Sequence, residues 1–250
     1  MKITVVTPTH PGRPVWMLTE ALASVAHQTL PAAAISVAVD LDQQGAASTR
    51  QRALEAVQTP WVAFLDSDDL FLPRHLELLS KHAMETGADF VYSWFKILDA
   101  AGRVLEDDPI FPLTHYMNPW DPDNPIETTI TTLVRTDLAK QVGFEALNRG
   151  HDQNSGEDRR FTLGCMAAGG NISHLVRKTW LWRHHGQNTS GLPTKGDALG
   201  VQGIRTSTMC SCGDNQQLAE PGTDNCFVPH LNRRTGKPCP GLSRWHPQVR

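Results

Sequence analysis

The sequence predicts an α/β fold, a mostly parallel sheet flanked by helices. Short apolar runs of strand length alternate with segments of helical period, each run stops abruptly at polar residues, and the intervals between runs suit right-handed crossovers. With 250 residues, 40% of them hydrophobic, the chain is long enough to bury the core such a sheet needs.

Ile3-Thr4-Val5-Val6 is short, rich in β-branched residues and halted by Thr7-Pro8-Thr9-His10-Pro11-Gly12, so it reads as a buried strand entering a loop. Pro14 suits a first helical turn, and Val15, Leu18, Leu22 and Val25 recur at helical spacing until Pro31. Ile35 to Val39 is the second strand, ending at Asp40; Ala46 to Val57 is a helix containing Arg50, Arg52 and Leu54; Trp61 to Leu65 is the third strand. Farther on, Arg74 to Thr86 reads as a helix through Leu76, Leu79 and Ala83, and Phe90 to Trp94 as a strand. Residues 106–127, rich in Pro and Asp, read as a long loop over one face. Thr136 to Val142 is a short helix stopped by Gly143, and Glu157 to Ala168 another, with Gly156 before it and Gly169-Gly170 after it. Strand-like Thr179-Trp180-Leu181-Trp182 then delivers Arg183-His184-His185, and no internal repeat is visible.

Sheets of this kind bind ligands beyond the carboxyl ends of their strands. Three of those ends carry Thr7 to Arg13, Asp40 with Asp42, and Asp66 to Asp69, so polar residues converge on one rim. The last of these is the sharpest feature of the chain: the apolar run Trp61-Val62-Ala63-Phe64-Leu65 gives way to Asp66-Ser67-Asp68-Asp69. At about 6 Å and an effective dielectric near 20, each pair of such charges repels by roughly 3 kcal/mol, so something must compensate. Asp66-Ser67-Asp68 offers two hard oxygen ligands to one divalent cation, Mg²⁺ or Mn²⁺, and leaves positions for the phosphates of a ligand. The alternative is that Asp66 or Ser67 caps a following helix, with Asp69 complementing its N-terminus.

The net charge of −3 makes no case for nucleic acid or an anionic membrane as principal partner. No run approaches the ~20 apolar residues of a membrane span. The first residues, Met1-Lys2-Ile3-Thr4-Val5-Val6, lack the apolar core and small-residue cleavage site of a signal peptide, so a cytoplasmic location is expected. Residues 194–250 differ in kind, holding seven Lys and Arg against four Asp and Glu, where residues 1–193 hold sixteen against twenty-two.

The order Val5-Val6-Thr7-Pro8-Thr9, Ser24-Val25 with Gln28-Thr29, Asp40, Arg50, Phe64-Leu65-Asp66-Ser67-Asp68-Asp69, Gly143-Phe144 and Gly156-Glu157-Asp158 resembles the family 2 inverting glycosyltransferases of GT-A fold, the nucleotide-diphospho-sugar transferase-like architecture. The resemblance covers about residues 1–192 and is carried most by the acidic motif together with the downstream Glu-Asp pair. It implies a nucleotide-sugar donor, an acceptor it does not identify (glycan, protein or small molecule), and Mn²⁺ or Mg²⁺ as cofactor. Residue by residue, it implies that Thr7, Pro8 and Arg13 line the nucleotide pocket, that Asp40 accepts a hydrogen bond from the base, and that Arg50 sits near the base or diphosphate. It places Asp66 and Ser67 at the donor, makes Asp66 and Asp68 metal ligands, and makes Asp158, beside Glu157, the catalytic base. A histidine after the last core strand, His185 in Arg183-His184-His185, would reach the metal or diphosphate. One base and one cation suffice for a single inverting displacement. First-turn acids at 157 and 158 would equally complement a helix dipole.

Two positions depart from the family pattern: Asp40-Leu41-Asp42-Gln43 replaces its Asp-Asp-Gly-Ser, and Gln51 replaces its Asn. Trp94, Trp120, Trp180 and Trp182 could stack on an acceptor sugar, though apolar packing is the commoner use of such residues. The extension, residues 193–250, lies outside the resemblance. Its Cys210, Cys212, Cys226 and Cys239 could close a structural zinc site, against a disordered or loosely docked segment, with disulfides third. Two other functions stay open: a sugar-nucleotide nucleotidyltransferase, weakened by the single glycine in residues 7–13, and a non-catalytic carbohydrate- or nucleotide-binding module.

Overall fold

A computed structural model describes residues 1–99, 102–105, 120–123, 125, 128–144 and 157–185. Most of the loop expected at 106–127, Gly156, and the whole extension with its four cysteines lie outside the described residues.

Among the described residues eight strands form one sheet: β1 Ile3–Thr9, β2 Ala34–Val39, β3 Trp61–Phe64, β4 Leu70–Phe71, β5 Phe90–Leu98, β6 Val104–Leu105, β7 Thr132–Arg135 and β8 Ile172–Arg183. The helices are α1 Val15–Ala26, α2 Ala46–Glu55, α3 His75–Thr86, α4 Thr136–Val142 and α5 Glu157–Ala167. Strand order is β2-β1-β3-β7-β5-β8-β4, with β6 paired to β5 outside this path. Alternation along the strands sorts side chains between two cores. Ile3, Val5, Leu65, Val91, Phe95 and Trp180 pack on one face with Ala21 and Val25 of α1 and Leu76 and Leu79 of α3. Val6, Val62, Phe64, Phe90 and Tyr92 pack on the other with Leu54 of α2, Leu138 of α4 and Phe161 of α5. None of the described helices is long and apolar enough to cross a membrane.

The sheet is mixed, with most of its paired residues in parallel ladders. β2, β1 and β3 pair in parallel as the crossovers require, but β7 enters antiparallel between β3 and β5, β4 runs antiparallel to β8, and β6 runs antiparallel to β5. Only β5 with β8 restores a parallel pair. β4, β6 and β7 are strands that the sequence reading did not anticipate. β7 is a β-branched run too short to stand out, and two-residue strands leave no periodicity to read.

β1 also runs past the expected stop, through Pro8 to Thr9. Val6 accepts the Leu65 N–H at 3.0 Å on the β3 side, so the Pro8 nitrogen two residues on faces that same side, beyond the last β3 pair at Val6 and Phe64. A proline there forfeits no ladder hydrogen bond.

Helix α1 turns a different face inward than the leucines suggest. Val15 is 78% exposed, whereas Met17, Ala21, Ser24 and Val25 are buried. Polar pins set this rotation. Ser24 Oγ accepts the Phe71 N–H at 3.1 Å, and Gln28 donates to the Leu72 carbonyl at 2.8 Å while accepting the Leu76 N–H at 3.0 Å. Those bonds fix β4 and the start of α3, and with them the segment that follows the acidic motif.

Candidate active site

β3 ends at Phe64, and Asp66 to Asp69 make a turn in which the Asp69 N–H donates to the Asp66 carbonyl at 3.1 Å. The chain then enters β4, and α3 starts only at His75, so none of these residues caps a helix. The carboxylates instead divide among three different environments.

Asp66 belongs to a closed cluster around Arg50. Arg50 is 1% exposed, and its Nη2 donates to Asp66 Oδ1 at 2.7 Å while Nη1 donates to Glu157 Oε1. The guanidinium also lies over the Phe144 ring, 5.3 Å from its centroid, and Phe144 stacks on Phe161 of α5 at 4.3 Å. Burial works against the Arg50 charge, but Asp66, Glu157 and Asp158 more than offset it, and its pKa lies above the ordinary value.

Asp68 belongs to a cluster built from three distant parts of the chain. Arg13 Nη1 lies 3.0 Å from Asp68 Oδ2 and 3.0 Å from His185 Nε2, and His185 Nε2 lies 2.8 Å from the same oxygen. Burial raises the Asp68 carboxyl, but the His185 hydrogen bond and the Arg13 charge outweigh it and hold the group below the ordinary carboxylate range.

Asp69 is 5% exposed and accepts the Arg183 N–H at 2.9 Å. Burial, with the Asp68 and Asp66 charges beside it, pushes its carboxyl well above the usual value despite the pull of Arg183.

Arg183 fastens the turn from behind. Its Nε donates to the Asp68 carbonyl at 2.7 Å, its Nη2 donates to Glu20 of α1 at 2.6 Å, and its guanidinium lies 5.0 Å from the Trp16 ring centroid. β8 thus holds the acidic turn through Arg183 and meets its second carboxylate through His185.

The donor set suits a hard divalent cation. One carboxylate oxygen and one imidazole nitrogen converge within hydrogen-bond distance, and Mg²⁺ is commonly held by one or two protein ligands, with substrate phosphates and water completing its shell. Among the described residues no three His, Cys, Asp or Glu side chains form a ready cage, so the remaining ligands would come from a diphosphate. Asp66, expected as a ligand, has one oxygen on Arg50 instead.

The other expected site residues lie around the same rim. Thr7 is fully buried with its Oγ1 unpartnered, and Pro8 is buried in β1. Ser67 is 3% exposed. Asp40 accepts the Gln44 and Gly45 N–H groups at 2.8 Å each, ordering the entry to α2. Asp158 is half-buried in the first turn of α5, near enough to Arg50 to raise its pKa. Gln51 has a local use: its Oε1 accepts the Phe144 N–H at 2.9 Å, and a Cβ on Gly143, whose φ is +66°, would come within 3.2 Å of it. Of the four tryptophans, Trp180 is core, Trp182 packs against that core, and Trp94 and Trp120 are half-buried about Tyr92 and His174.

Residues 37–143 match the family model for glycosyl transferase family 2. Over these residues the chain resembles glycosyl transferase family 2. Among solved structures, residues 1–349 of S. aureus TarS in complex with UDP-GlcNAc superpose with a TM-score of 0.58 at 22% identity, over 76% of this chain and 61% of that one. A TarS structure covered to only 37% of its chain gives 0.56 at 21% identity over 75% of this chain, and the UDP complex gives 0.53 at 20% over 74% of this chain and 61% of that one. The chain therefore spans about three fifths of the length of the 1–349 structures it resembles. No curated protein matches it. The family 2 match covers α2 and the acidic turn and ends at Gly143; Phe144, α5 and His185 lie beyond it and are brought to the site by the fold.

Glu20 and Arg183 are the functional-site residues whose roles the sequence reading missed. Arg183 carries a faint signal, a charged residue ending an apolar strand two positions before His185. Glu20 carries none, being one polar residue on a helix surface.

Proposed function

We propose that this chain transfers a sugar from a nucleoside diphosphate sugar, with inversion at the anomeric carbon, to a hydroxyl of an acceptor, using Mn²⁺ or Mg²⁺. The observation that carries the reading is the meeting of Asp68 Oδ2 and His185 Nε2 at 2.8 Å on the rim of a sheet that the family 2 model matches in part. The UDP-GlcNAc and UDP complexes of TarS favour a uridine diphosphate donor.

Asp68 and His185 would hold the cation, which when bound neutralises the charge that develops on the departing diphosphate. Thr7, Pro8, Asp40 and Ser67 border the nucleotide, and Arg13 is within reach of its phosphates. Asp158 takes the proton of the acceptor hydroxyl as the acceptor oxygen bonds to the anomeric carbon. The bond from that carbon to the phosphate oxygen breaks on the opposite face, and the nucleoside diphosphate leaves with the electron pair. Glu157 is less suited to this step because its carboxylate is paired with Arg50. Its part is to fix the start of α5, and so Asp158, against α2.

A screen of nucleotide sugars for slow Mn²⁺-dependent hydrolysis tests the reading. Wild type releases nucleoside diphosphate, Asp68→Ala loses release together with Mn²⁺-supported nucleotide binding, and Asp158→Asn keeps nucleotide binding while turnover falls by about 10²-fold or more. Turnover unchanged in both variants refutes it.

A further inference from the structure

We infer that Arg13 is a displaceable counter-ion that couples the two ligands of the donor site: its guanidinium occupies Asp68 and His185 until a diphosphate draws it away, so the cation binds well only together with the nucleotide. This rests on the metal reading above and goes beyond it, because that reading requires only that both ligands bind.

The three contacts of the cluster cannot all be hydrogen bonds. Arg13 Nη1 and His185 Nε2 both lie against Asp68 Oδ2, at 3.0 and 2.8 Å, and are 3.0 Å from each other. An arginine nitrogen can only donate. His185 Nε2 must carry a hydrogen to donate to Asp68 and must lack it to accept from Arg13, so only one of its two contacts can be a hydrogen bond at any moment. Elsewhere Arg13 Nη1 reaches only the Met17 sulfur, at 3.9 Å, and its Nε is buried with no partner, as is that of Arg50. Arg50 differs, since its two carboxylates take separate nitrogens.

A divalent cation and Arg13 compete for the same oxygen and the same imidazole lone pair, and their charges repel. Without a diphosphate, Arg13 that gives up Asp68 leaves its charge poorly compensated, so its occupancy of Asp68 lowers the apparent metal affinity. A diphosphate supplies oxygens that accept both nitrogens of the guanidinium fork. Nucleotide binding then vacates Asp68 and His185 for the metal, and by linkage the metal strengthens nucleotide binding by the same factor.

The experiment measures Mn²⁺ binding to the whole chain by electron paramagnetic resonance, with and without UDP, for wild type and Arg13→Ala. The expected result is that Arg13→Ala binds Mn²⁺ more tightly than wild type when UDP is absent, and that the factor by which UDP tightens Mn²⁺ binding shrinks by about tenfold or more. A general charge effect would shift Mn²⁺ affinity alike with and without UDP and leave that factor unchanged, so an unchanged factor overturns the inference. Mn²⁺ binding to neither protein, with or without UDP, overturns the metal reading itself, which is a different result. Should Arg13→Ala fail to give a cooperative melt, Arg13→Gln removes the charge with a side chain of similar bulk and carries the same expectation.

Discussion

Two arginines meet the same acidic turn in opposite ways. Arg50 rises from a helix into a closed pocket, takes one carboxylate per nitrogen, and is roofed by Phe144. Arg13 reaches in from the loop after β1 and crowds one carboxylate oxygen together with an imidazole. The first gives each of two carboxylates its own nitrogen and is hard to leave; the second shares one oxygen between two donors and has somewhere better to go once phosphate oxygens arrive. Charge alone therefore does not mark the reactive part of an acidic motif. What separates Asp66 from Asp68, two residues apart, is whether the carboxylate oxygen has a guanidinium nitrogen to itself or shares it with a second donor.

That contrast is broken most severely at Arg50. Arg50→Ala strands Asp66 and Glu157 beside a buried space with no counter-charge and unties α2 from α5. We expect a loss of about 3 kcal/mol in urea unfolding, toward the low end for a broken buried pair because both carboxylates retain some contact with solvent. Arg50→Lys should recover only part of it, since one ammonium cannot reproduce the fork. A loss under about 1 kcal/mol for Arg50→Ala would mean that the closed cluster contributes no more than a surface pair.

Glu20→Gln comes next. It removes the counter-charge of Arg183, which is 3% exposed, while leaving an amide oxygen to accept, so we expect a loss of about 2 kcal/mol. Because Arg183 also donates to the Asp68 carbonyl, the same variant should weaken Mn²⁺-supported UDP binding; unchanged binding alongside the lost stability would confine Arg183 to a packing role.

Legibility in the sequence follows the same division. The parallel unit β2-β1-β3 can be read from residues 3–65 because each strand is a compact apolar run, each crossover is local, and the polar termini collect on one rim. The antiparallel half cannot, since placing β7 between β3 and β5 is a long-range choice with no local sign. The acidic turn, Asp158 and His185 are legible as residue types at suggestive positions, and the fold brings His185 to Asp68. The partnerships are not: Arg50 with Glu157 joins residues 107 apart in sequence, and Arg183 with Glu20 joins residues 163 apart. In a single sequence an arginine reads the same whether its carboxylates are its own or one is shared with a second donor.

The smallest effect, and the finest test of the contrast, lies in the opposite pH responses of Asp68 and Asp69 with chelator present. Asp68 titrates below its ordinary value of 3.8 because His185 and Arg13 favour the carboxylate over the opposing cost of burial. Its contribution is therefore present at neutral pH and disappears as pH falls through that lowered value. Asp69 titrates well above 3.8 because burial and its two acidic neighbours favour the neutral acid. Its contribution is complete below 3.8 and is lost as pH rises through the raised value. Wild type should thus exceed Asp68→Asn near neutrality, the gap closing in acid, whereas Asp69→Asn should gain on wild type as pH rises, since its amide oxygen can still accept the Arg183 N–H. Unfolding midpoints followed from acid to neutral pH report both slopes. If the two variants track wild type with the same slope, then Arg13 and His185 do not hold Asp68 as a carboxylate, and the distinction between neighbouring aspartates is one of position alone.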